Sequence, residues 1–321
     1  MKRLMLLLMA ALLASCGSPA VFERPVMEMP EGTARTSPVG TGWWRIFNDR
    51  ALDRLEEKAV AHNRDLVRAA ALVDQASALA AQAGSAMLPR AELEAGASSE
   101  ELSEGERYMN NLPDRARDLW SMSGVLSYEV DLWGKLRART EVARAELLAS
   151  AAARDAVYLR LTAEVASAYI NVRTWEEKCL IIRRVHASYE QTCAMYEKRF
   201  VQGQYPELAL RRVQAERSKT LAQLRLSENE LSRAESVLSV LVGDSPRQVM
   251  KGGRPGGGNA ALLASPPVIP ARLPGDMIER RPDIWELESR LKAAFYGREA
   301  ARKDRFPSLV LTGQLGQVST Q

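Results

Sequence analysis

The stretch RFPSLVLTGQLGQVSTQ, residues 305–321, passes from a charged segment through Pro307 into a strand-like pattern. Apolar residues after Pro307 alternate with other residues, which is the period of a strand with one apolar face. Before it, a helix is predicted to begin near Pro282 or Asp283 and to end at Pro307. The strand-like positions are Leu309, Leu311 and Leu315.

The same succession of helix, proline and strand occurs 218 residues earlier, where Pro89 stands in the place of Pro307. Identities among helix-forming segments are weak signals alone, but a helix, a proline and a strand at one spacing indicate an internal repeat. Further matched pairs are Arg54 and Arg272, Leu55 and Leu273, Asp65 and Asp283, Leu66 and Ile284, Ala76 and Ala294, Ala83 and Ala301, and Leu93 and Leu311.

In the first copy, two strand-like runs follow the proline, PRAELEAGASSE at 89–100 and WSMSGVLSYEVDLW at 120–133. The polar stretch between them, residues 104–118, is predicted to be an exposed loop, so the runs form one long hairpin. The first copy continues for 152 residues after its proline and the second for 14, so 138 residues of a second repeat are absent. The terminal strand is therefore expected to belong to a second hairpin whose partner strand is not in this sequence.

Residues 135–200 contain neither glycine nor proline, and their apolar side chains follow a heptad pattern over six repeats. A helix of this length reaches about 100 Å. Gly203 interrupts it, Pro206 suits the start of a returning helix, and the two form an antiparallel hairpin whose tip is at Gln202–Tyr205. The seam positions are Tyr158, Leu161, Val165, Ala168, Val172, Trp175, Cys179, Ile182, His186, Tyr189, Cys193, Tyr196 and Phe200, opposite Leu210, Leu224, Leu231, Leu238 and Leu241.

The N-terminus, MKRLMLLLMAALLASCGSPA, has two basic residues, eleven apolar residues and small residues before a cysteine. This is the composition of a secretory signal, and the apolar run is too short to span a bilayer. Residues 13–16 resemble a bacterial lipobox, in which Cys16 becomes the acylated N-terminus of the mature protein. Gly17 stands where an aspartate would resemble an inner-membrane retention signal, which implies the outer membrane. An ordinary signal peptide with a chance cysteine is the alternative.

Composition excludes several classes of function. The formal net charge is +4 and only 6% of residues are aromatic, and basic residues alternate with acidic ones along helices, so we expect no nucleic-acid partner. Cys179 and Cys193 lie about 21 Å apart on one helix, beyond disulfide reach, and are expected to be small core residues. With only His62 and His186, no metal site, cofactor or catalytic cluster is predicted.

Several segments together resemble the TolC-like outer membrane factors of tripartite efflux and type I secretion systems, and among them the lipoprotein branch. The resemblance covers nearly the whole mature chain. It rests on Trp43-Trp44 with Phe47, residues 66–89, YEVDLWGKL at 128–136, RFVQG at 199–203, LPGD at 273–276 and ERRPDI at 279–284.

The resemblance implies a mainly α fold with β structure, in which long coiled-coil hairpins join a transmembrane β-hairpin. Three protomers would form a 12-stranded barrel in the outer membrane and a helical tunnel through the periplasm. The tip residues would face a periplasmic adaptor of an inner-membrane pump, although Tyr205, Pro206 and Ala209 depart from the family's small hydroxyl and acidic residues. The tip residues are Phe200, Gln202, Gly203, Gln204 and Tyr205, and the structural motif between the repeats is Arg281, Pro282 and Asp283.

The implied function is a passive exit duct for small solutes such as drugs or metals. One alternative is a periplasmic coiled-coil lipoprotein that forms no pore, for which residues 90–131 would not be strands. The other is a truncated or fragmentary family member. The expected segments are a signal peptide at 1–15, a lipidated leader at 16–48, the first helices of repeat 1 at 49–88, a membrane hairpin at 89–133, the periplasmic hairpin at 134–242, a Gly/Pro-rich linker at 243–275, the first helix of repeat 2 at 276–306 and a strand at 307–321.

Overall fold

The computed structural model describes residues 21–24, 42–101, 116–243 and 280–320. The signal peptide, Cys16, most of the leader, most of the predicted loop and most of the linker lie outside these residues. The described chain is mainly helical with one small antiparallel sheet, as predicted. Its elements are a 3₁₀ helix Trp43–Phe47, α1 Arg50–His62, α2 Arg64–Ser85, β1 Arg90–Glu101, β2 Ala116–Val130, α3 Lys135–Val201, α4 Glu207–Val242, α5 Pro282–Lys303 and β3 Leu309–Thr320.

The chain divides into two compact units. One unit contains the described parts of Met1–Glu28, Leu72–Ala151 and Trp285–Gln321, and therefore includes the whole sheet. The other contains the described parts of Met29–Ala71 and Ala152–Ile284, and therefore includes α1, α4 and most of α3.

The sheet has the order β1-β2-β3, and both neighbouring pairs are antiparallel. The predicted hairpin is confirmed, but β2 begins at Ala116 and not at Trp120, so the loop prediction is wrong for residues 116–118. Ala116 pairs with Glu101 at the end of the β1 ladder, and backbone pairing continues because it does not depend on side-chain polarity. The strand ends at Val130, short of the predicted Trp133.

The terminal strand β3 pairs with β2 of the first repeat, whereas the partner strand expected for it in a second hairpin stays a prediction. It pairs with β2 from Leu309 opposite Val130 to Thr320 opposite Leu119. The sequence pattern gave the strand but not its neighbour, because an alternating pattern specifies a face and leaves the pairing open. Among the described strands, the second edge of β3 and one edge of β1 remain unpaired.

The internal repeat is visible in the bounds of the helices. Both α2 and α5 have 22 residues, and the shift from Arg64 to Pro282 equals the shift from Ser85 to Lys303, 218 residues. Each helix is followed by a proline and a strand of 12 residues. The two copies therefore repeat a helix and a strand of equal length.

In the second unit, α3 and α4 pack as the predicted antiparallel hairpin. Arg183 forms an ion pair with Glu228 at 2.8 Å, and nearer the tip Gln214 Nε2 donates to Glu197 Oε1 at 3.3 Å. The predicted seam residues are buried or half-buried except Phe200, which is 38% exposed because α3 ends one residue later at Val201. Cys179 and Cys193 are buried in the seam, as expected.

The core of this unit also includes the segment that leads into α2. Asp49 caps α1 by accepting from the backbone N–H groups of Ala51 and Leu52, at 2.8 and 3.4 Å. Asn63 caps α2 in the same way. These caps satisfy backbone donors that the helices leave free. The core side chains include Trp44, Leu52, Ala59, Leu161, Val165, Tyr169, Val172, Leu231, Leu238 and Val242.

Candidate functional site

The three strands present one apolar face, and the register of pairing defines it. Residues directly opposite one another in an antiparallel pair point to the same side of the sheet. Leu93 pairs with Gly124, and Gly124 pairs with Leu315, which aligns the apolar positions of all three strands. The face consists of Ala91, Leu93, Ala95, Ala97, Trp120, Met122, Leu126, Tyr128, Val130, Leu309, Leu311 and Leu315.

The opposite face of the same sheet is mostly polar. Glu94 pairs with Ser123, and Ser127 pairs with Thr312. Four aliphatic residues, Leu119, Val125, Val310 and Val318, interrupt this face. Its polar members are Arg90, Glu92, Glu94, Ser98, Ser121, Ser123, Ser127, Glu129, Thr312 and Gln314.

The apolar face is uncovered by any other part of the described chain. Leu315 is 86% exposed and Leu93 is 80% exposed, and Trp120, Met122 and Leu126 are exposed as well. A contiguous apolar surface of this kind indicates contact with a membrane or a partner. Of the helices that the structure describes, none contains a stretch long and apolar enough to cross a membrane.

At the base of the sheet, Asp131 joins β2 to α3. Its carboxylate accepts from the backbone N–H groups of Leu136 and Arg137 at 3.1 and 3.0 Å, and therefore caps α3. Burial acts to raise the pKa of Asp131, but hydrogen bonds from Arg137 and Leu136 outweigh it and lower the pKa below its ordinary value. Strand β2 ends at Val130, the residue before this cap.

The same base joins the two copies of the repeat. Trp133 Nε1 donates to the carbonyl of Pro307 at 3.0 Å, and the Trp133 ring stacks on Phe306 at 4.9 Å. Arg139 donates to both oxygens of Asp304 at 3.0 Å. These contacts fix the start of β3 against the end of β2.

The five predicted tip residues lie together in the turn between α3 and α4. Gly203 has φ 74°, a left-handed conformation that favours glycine. The Gly203 N–H donates to Phe200 O at 2.8 Å and the Gln204 N–H to Arg199 O at 2.9 Å, which is the Schellman arrangement that ends a helix. Tyr205 is half-buried, and the other four residues are exposed.

The predicted motif between the repeats lies at the start of α5. Pro282 is its first residue, where a missing N–H costs no hydrogen bond. Arg281 forms a 2.7 Å ion pair with Asp283, and the Arg281 hydrogen bond lowers the pKa of the Asp283 carboxyl. Within the described residues these contacts stay inside the motif.

Sequence reasoning missed a buried carboxyl on α1. Glu56 is 0% exposed, and neither of its oxygens has a hydrogen-bond partner among the described residues. Burial, with a smaller contribution from the charge of Asp53, raises its pKa to about 8, so the side chain is protonated at neutral pH. Leu52, Glu56 and Ala59 share one helical face, and this spacing is the signal that could have placed Glu56 in the core.

The described residues contain no cluster of three or more His, Cys, Asp or Glu side chains that could hold a metal ion. His186 Nδ1 lies 3.3 Å from Thr220 Oγ1 across the helical hairpin. Its surroundings are those of a packing residue, because it faces the returning helix.

Comparison with known proteins identifies relatives over nearly the whole chain. A family model described as "Outer membrane efflux protein" matches residues 55–244. The chain is 31% identical to the probable outer membrane lipoprotein SilC of Salmonella typhimurium, over 97% of this chain and 67% of that protein. It is 30% identical to the pyoverdine export outer membrane protein OpmQ of Pseudomonas aeruginosa, over 98% of this chain and 67% of that protein.

A solved structure extends the comparison to the fold. A crystal structure of CusC has a TM-score of 0.76 with this chain and 26% sequence identity, covering 94% of this chain and 67% of that chain. The sheet and the helical hairpin described above thus match about two thirds of that structure. The chain belongs to the outer membrane efflux protein family.

Proposed function

We propose that the protein is a protomer of an outer-membrane exit duct that serves a tripartite efflux or type I secretion system. The observation that carries the proposal is the three-stranded sheet with one apolar and one mostly polar face. In a bilayer, the apolar face contacts lipid and the polar face lines an aqueous path. Strands in lipid require every backbone group to be paired, so the two free edges require further strands.

The dimensions of the apolar face agree with a membrane span. On β2 it extends from Trp120 to Val130, eleven residues, and a transmembrane strand has about 9–11. On the same side, polar residues begin with Gln317, opposite Met122, and Ser319, opposite Trp120, and continue beyond Trp120 with the pair Ser99 and Asp118. Polar side chains therefore begin where a tilted strand would leave the hydrocarbon.

Closure of the sheet defines the assembly. We propose a homotrimer in which each protomer contributes four strands to a 12-stranded barrel, with α3 and α4 in the wall of a periplasmic tunnel. Three of the four proposed strands are described in this chain, whose match with SilC covers 67% of that protein. The helical tip at residues 200–205 faces a periplasmic adaptor, which couples the duct to an inner-membrane pump.

The duct acts passively, without catalytic residues or a cofactor, and the pump provides the energy. Acylation of Cys16 anchors the mature N-terminus in the outer membrane, where relatives such as SilC are found. The cargo is a small solute, and its selection belongs to the pump.

A periplasmic coiled coil without a pore is the second candidate function. It requires that residues 90–131 are not strands, whereas β1 and β2 occupy 90–101 and 116–130. No observation on the described residues favours it over the duct.

The proposal is tested by the accessibility of neighbouring strand positions. In the full protein with Cys179 and Cys193 replaced by serine, Leu93→Cys is expected to resist a membrane-impermeant maleimide in intact outer membranes. Glu94→Cys, on the opposite face of the same strand, is expected to react. Equal labelling of both positions in membranes would contradict a membrane-spanning sheet, and equal labelling only after detergent solubilisation would support it.

A further inference from the structure

The tip of the helical hairpin contains an aromatic cluster that its sequence pattern did not predict. The rings of Tyr196, on α3, and Tyr205, in the turn, stack at 4.8 Å with an angle of 8°. Arg199 donates a 3.0 Å hydrogen bond to the Tyr205 hydroxyl, and its guanidinium lies 5.5 Å from the same ring. The seam residue Tyr196, which precedes the last seam position, is thus covered by a residue from the turn itself.

This cluster supports a segment with weak local restraints. Helix α4 begins after Pro206 without a side-chain hydrogen bond to its cap. Gly203 supplies the left-handed residue of the turn but no side chain to pack. Because helix ends fray, the stack of Tyr205 on Tyr196 adds to the Gln214–Glu197 hydrogen bond in holding the start of α4 against the end of α3.

The cluster also fixes what the tip exposes. Val201, at the end of α3, is 84% exposed, and Leu208, in the first turn of α4, is 64% exposed. Each lies within four residues of Tyr205, one on either side of the turn. Their relative position therefore depends on how Tyr205 joins the two helices.

We infer that Tyr205 is a positioning residue, which holds Val201 and Leu208 in one arrangement for docking of the periplasmic adaptor. The inference rests on the proposed function, which places the adaptor at this tip. Pre-organisation strengthens binding because the docking step then loses less conformational entropy. Tyr205 acts through the turn and needs no contact with the adaptor.

The test measures both the order of the turn and its docking. A photo-crosslinking amino acid at position 202, in the full protein in its native cells, reports contact with the adaptor encoded by the host. Hydrogen–deuterium exchange at the amides of Gly203 and Gln204 reports the order of the turn. Tyr205→Ser removes the stack and the hydrogen bond, whereas Tyr205→Phe retains the stack. Tyr189→Ser removes a half-buried seam tyrosine away from the tip and is the matched control.

For Tyr205→Ser we expect exchange at Gly203 and Gln204 to accelerate two- to tenfold, which is the range for loss of an aromatic pair. The crosslink to the adaptor should fall by a similar factor. Tyr205→Phe should retain at least half of the crosslink, and Tyr189→Ser should leave it unchanged.

Faster exchange in Tyr205→Ser with an undiminished crosslink would overturn the positioning role and leave the proposed duct intact. Loss of the crosslink in Tyr189→Ser to the same extent would also overturn it, since the effect would then be general instability. Absence of any crosslink to an adaptor in the unsubstituted protein would overturn docking at this tip and with it the positioning role, whereas the membrane-spanning sheet of the duct is tested separately by the labelling of Leu93→Cys and Glu94→Cys.

Discussion

The Tyr169 hydroxyl donates a 2.7 Å hydrogen bond to Asp49 Oδ2, while Asp49 Oδ1 caps α1. One carboxylate therefore joins α3 to α1 and also caps the N-terminus of α1. Burial, followed by the hydrogen bond to Asp49 and the charge of its carboxylate, raises the pKa of Tyr169 above its ordinary value. The phenol is thus a permanent donor at physiological pH.

Tyr169→Phe should lower the free energy of unfolding by about 1.5–3 kcal/mol, because a buried hydrogen bond to a charged group is lost. Thermal unfolding of the protein in detergent measures the change. Tyr189→Phe, at a half-buried seam position where the described residues give the hydroxyl no hydrogen-bond partner, should change the stability by less than about 0.5 kcal/mol. Equal effects of the two substitutions would contradict a specific role for the Asp49 contact.

Glu56 should make stability fall as the pH rises. In the unfolded chain its carboxyl ionises with a pKa of 4.5, whereas the folded protein retains the proton to about 8. Below pH 4.5 the carboxyl is protonated in both states and does not change the stability. Between pH 4.5 and 8 only the unfolded state gains the charge, so the free energy of unfolding falls as the pH rises. Above pH 8 this decrease is complete. The loss is on the order of 3 kcal/mol, allowing for water that reaches the side chain in fluctuations.

Glu56→Met should remove this dependence and stabilise the protein at pH 8 more than at pH 4.5. Unfolding midpoints measured across this pH range provide the comparison. Glu57→Gln, an exposed neighbour on the same helix, should preserve the pH dependence. A pH profile that is identical in Glu56→Met and the unsubstituted protein would show that Glu56 is not the titrating group.

Gly243 and Gly84 should respond to alanine in opposite directions. Gly243 ends α4 with φ 75°, and a Cβ there would lie 2.9 Å from the carbonyl oxygen of His62. Gly243→Ala should therefore destabilise the protein by about 1–3 kcal/mol. Gly84, in α2, has no atom within 4 Å of an added Cβ, and Gly84→Ala should stabilise by about 0.5–1 kcal/mol. Chemical unfolding of both variants measures the two changes in the free energy of unfolding. Destabilisation by Gly84→Ala would contradict the open surroundings at that position.

Sequence patterns predicted the helices and strands better than they predicted the contacts between them. The seam from Leu161 to Cys193 could be traced, because heptad packing depends on local spacing. The pairing of β3 with β2 could not be predicted, since an alternating strand specifies a face but no neighbour.

The candidate site shows the same division. The tip turn around Gly203 could be located from the break in the helix. The stack of Tyr205 on Tyr196 could not, because it joins the turn to a residue nine positions earlier through side-chain rotamers alone. Burial of Glu56 was accessible from its apolar helical neighbours, but its pKa depends on the tertiary surroundings.

Arginine substitutions at adjacent positions of β2 should separate the two faces of the sheet. Met122 lies on the apolar face, where it pairs with Ala95 and Gln317, and Ser123 lies on the polar face opposite Glu94. A lipid-facing arginine costs about 2–4 kcal/mol at the bilayer midplane and about 0–1 kcal/mol near the interfaces. Met122 lies two residues from the Trp120 end of the apolar span, so Met122→Arg should reduce assembly in the outer membrane by up to about fivefold. Ser123→Arg faces water and an acidic neighbour and should assemble normally. Immunoblots of outer-membrane fractions measure assembly, with total expression as the control. Normal assembly of Met122→Arg together with a defect in Ser123→Arg would reverse the assignment of the faces, and equal assembly of both would place the sheet outside the membrane.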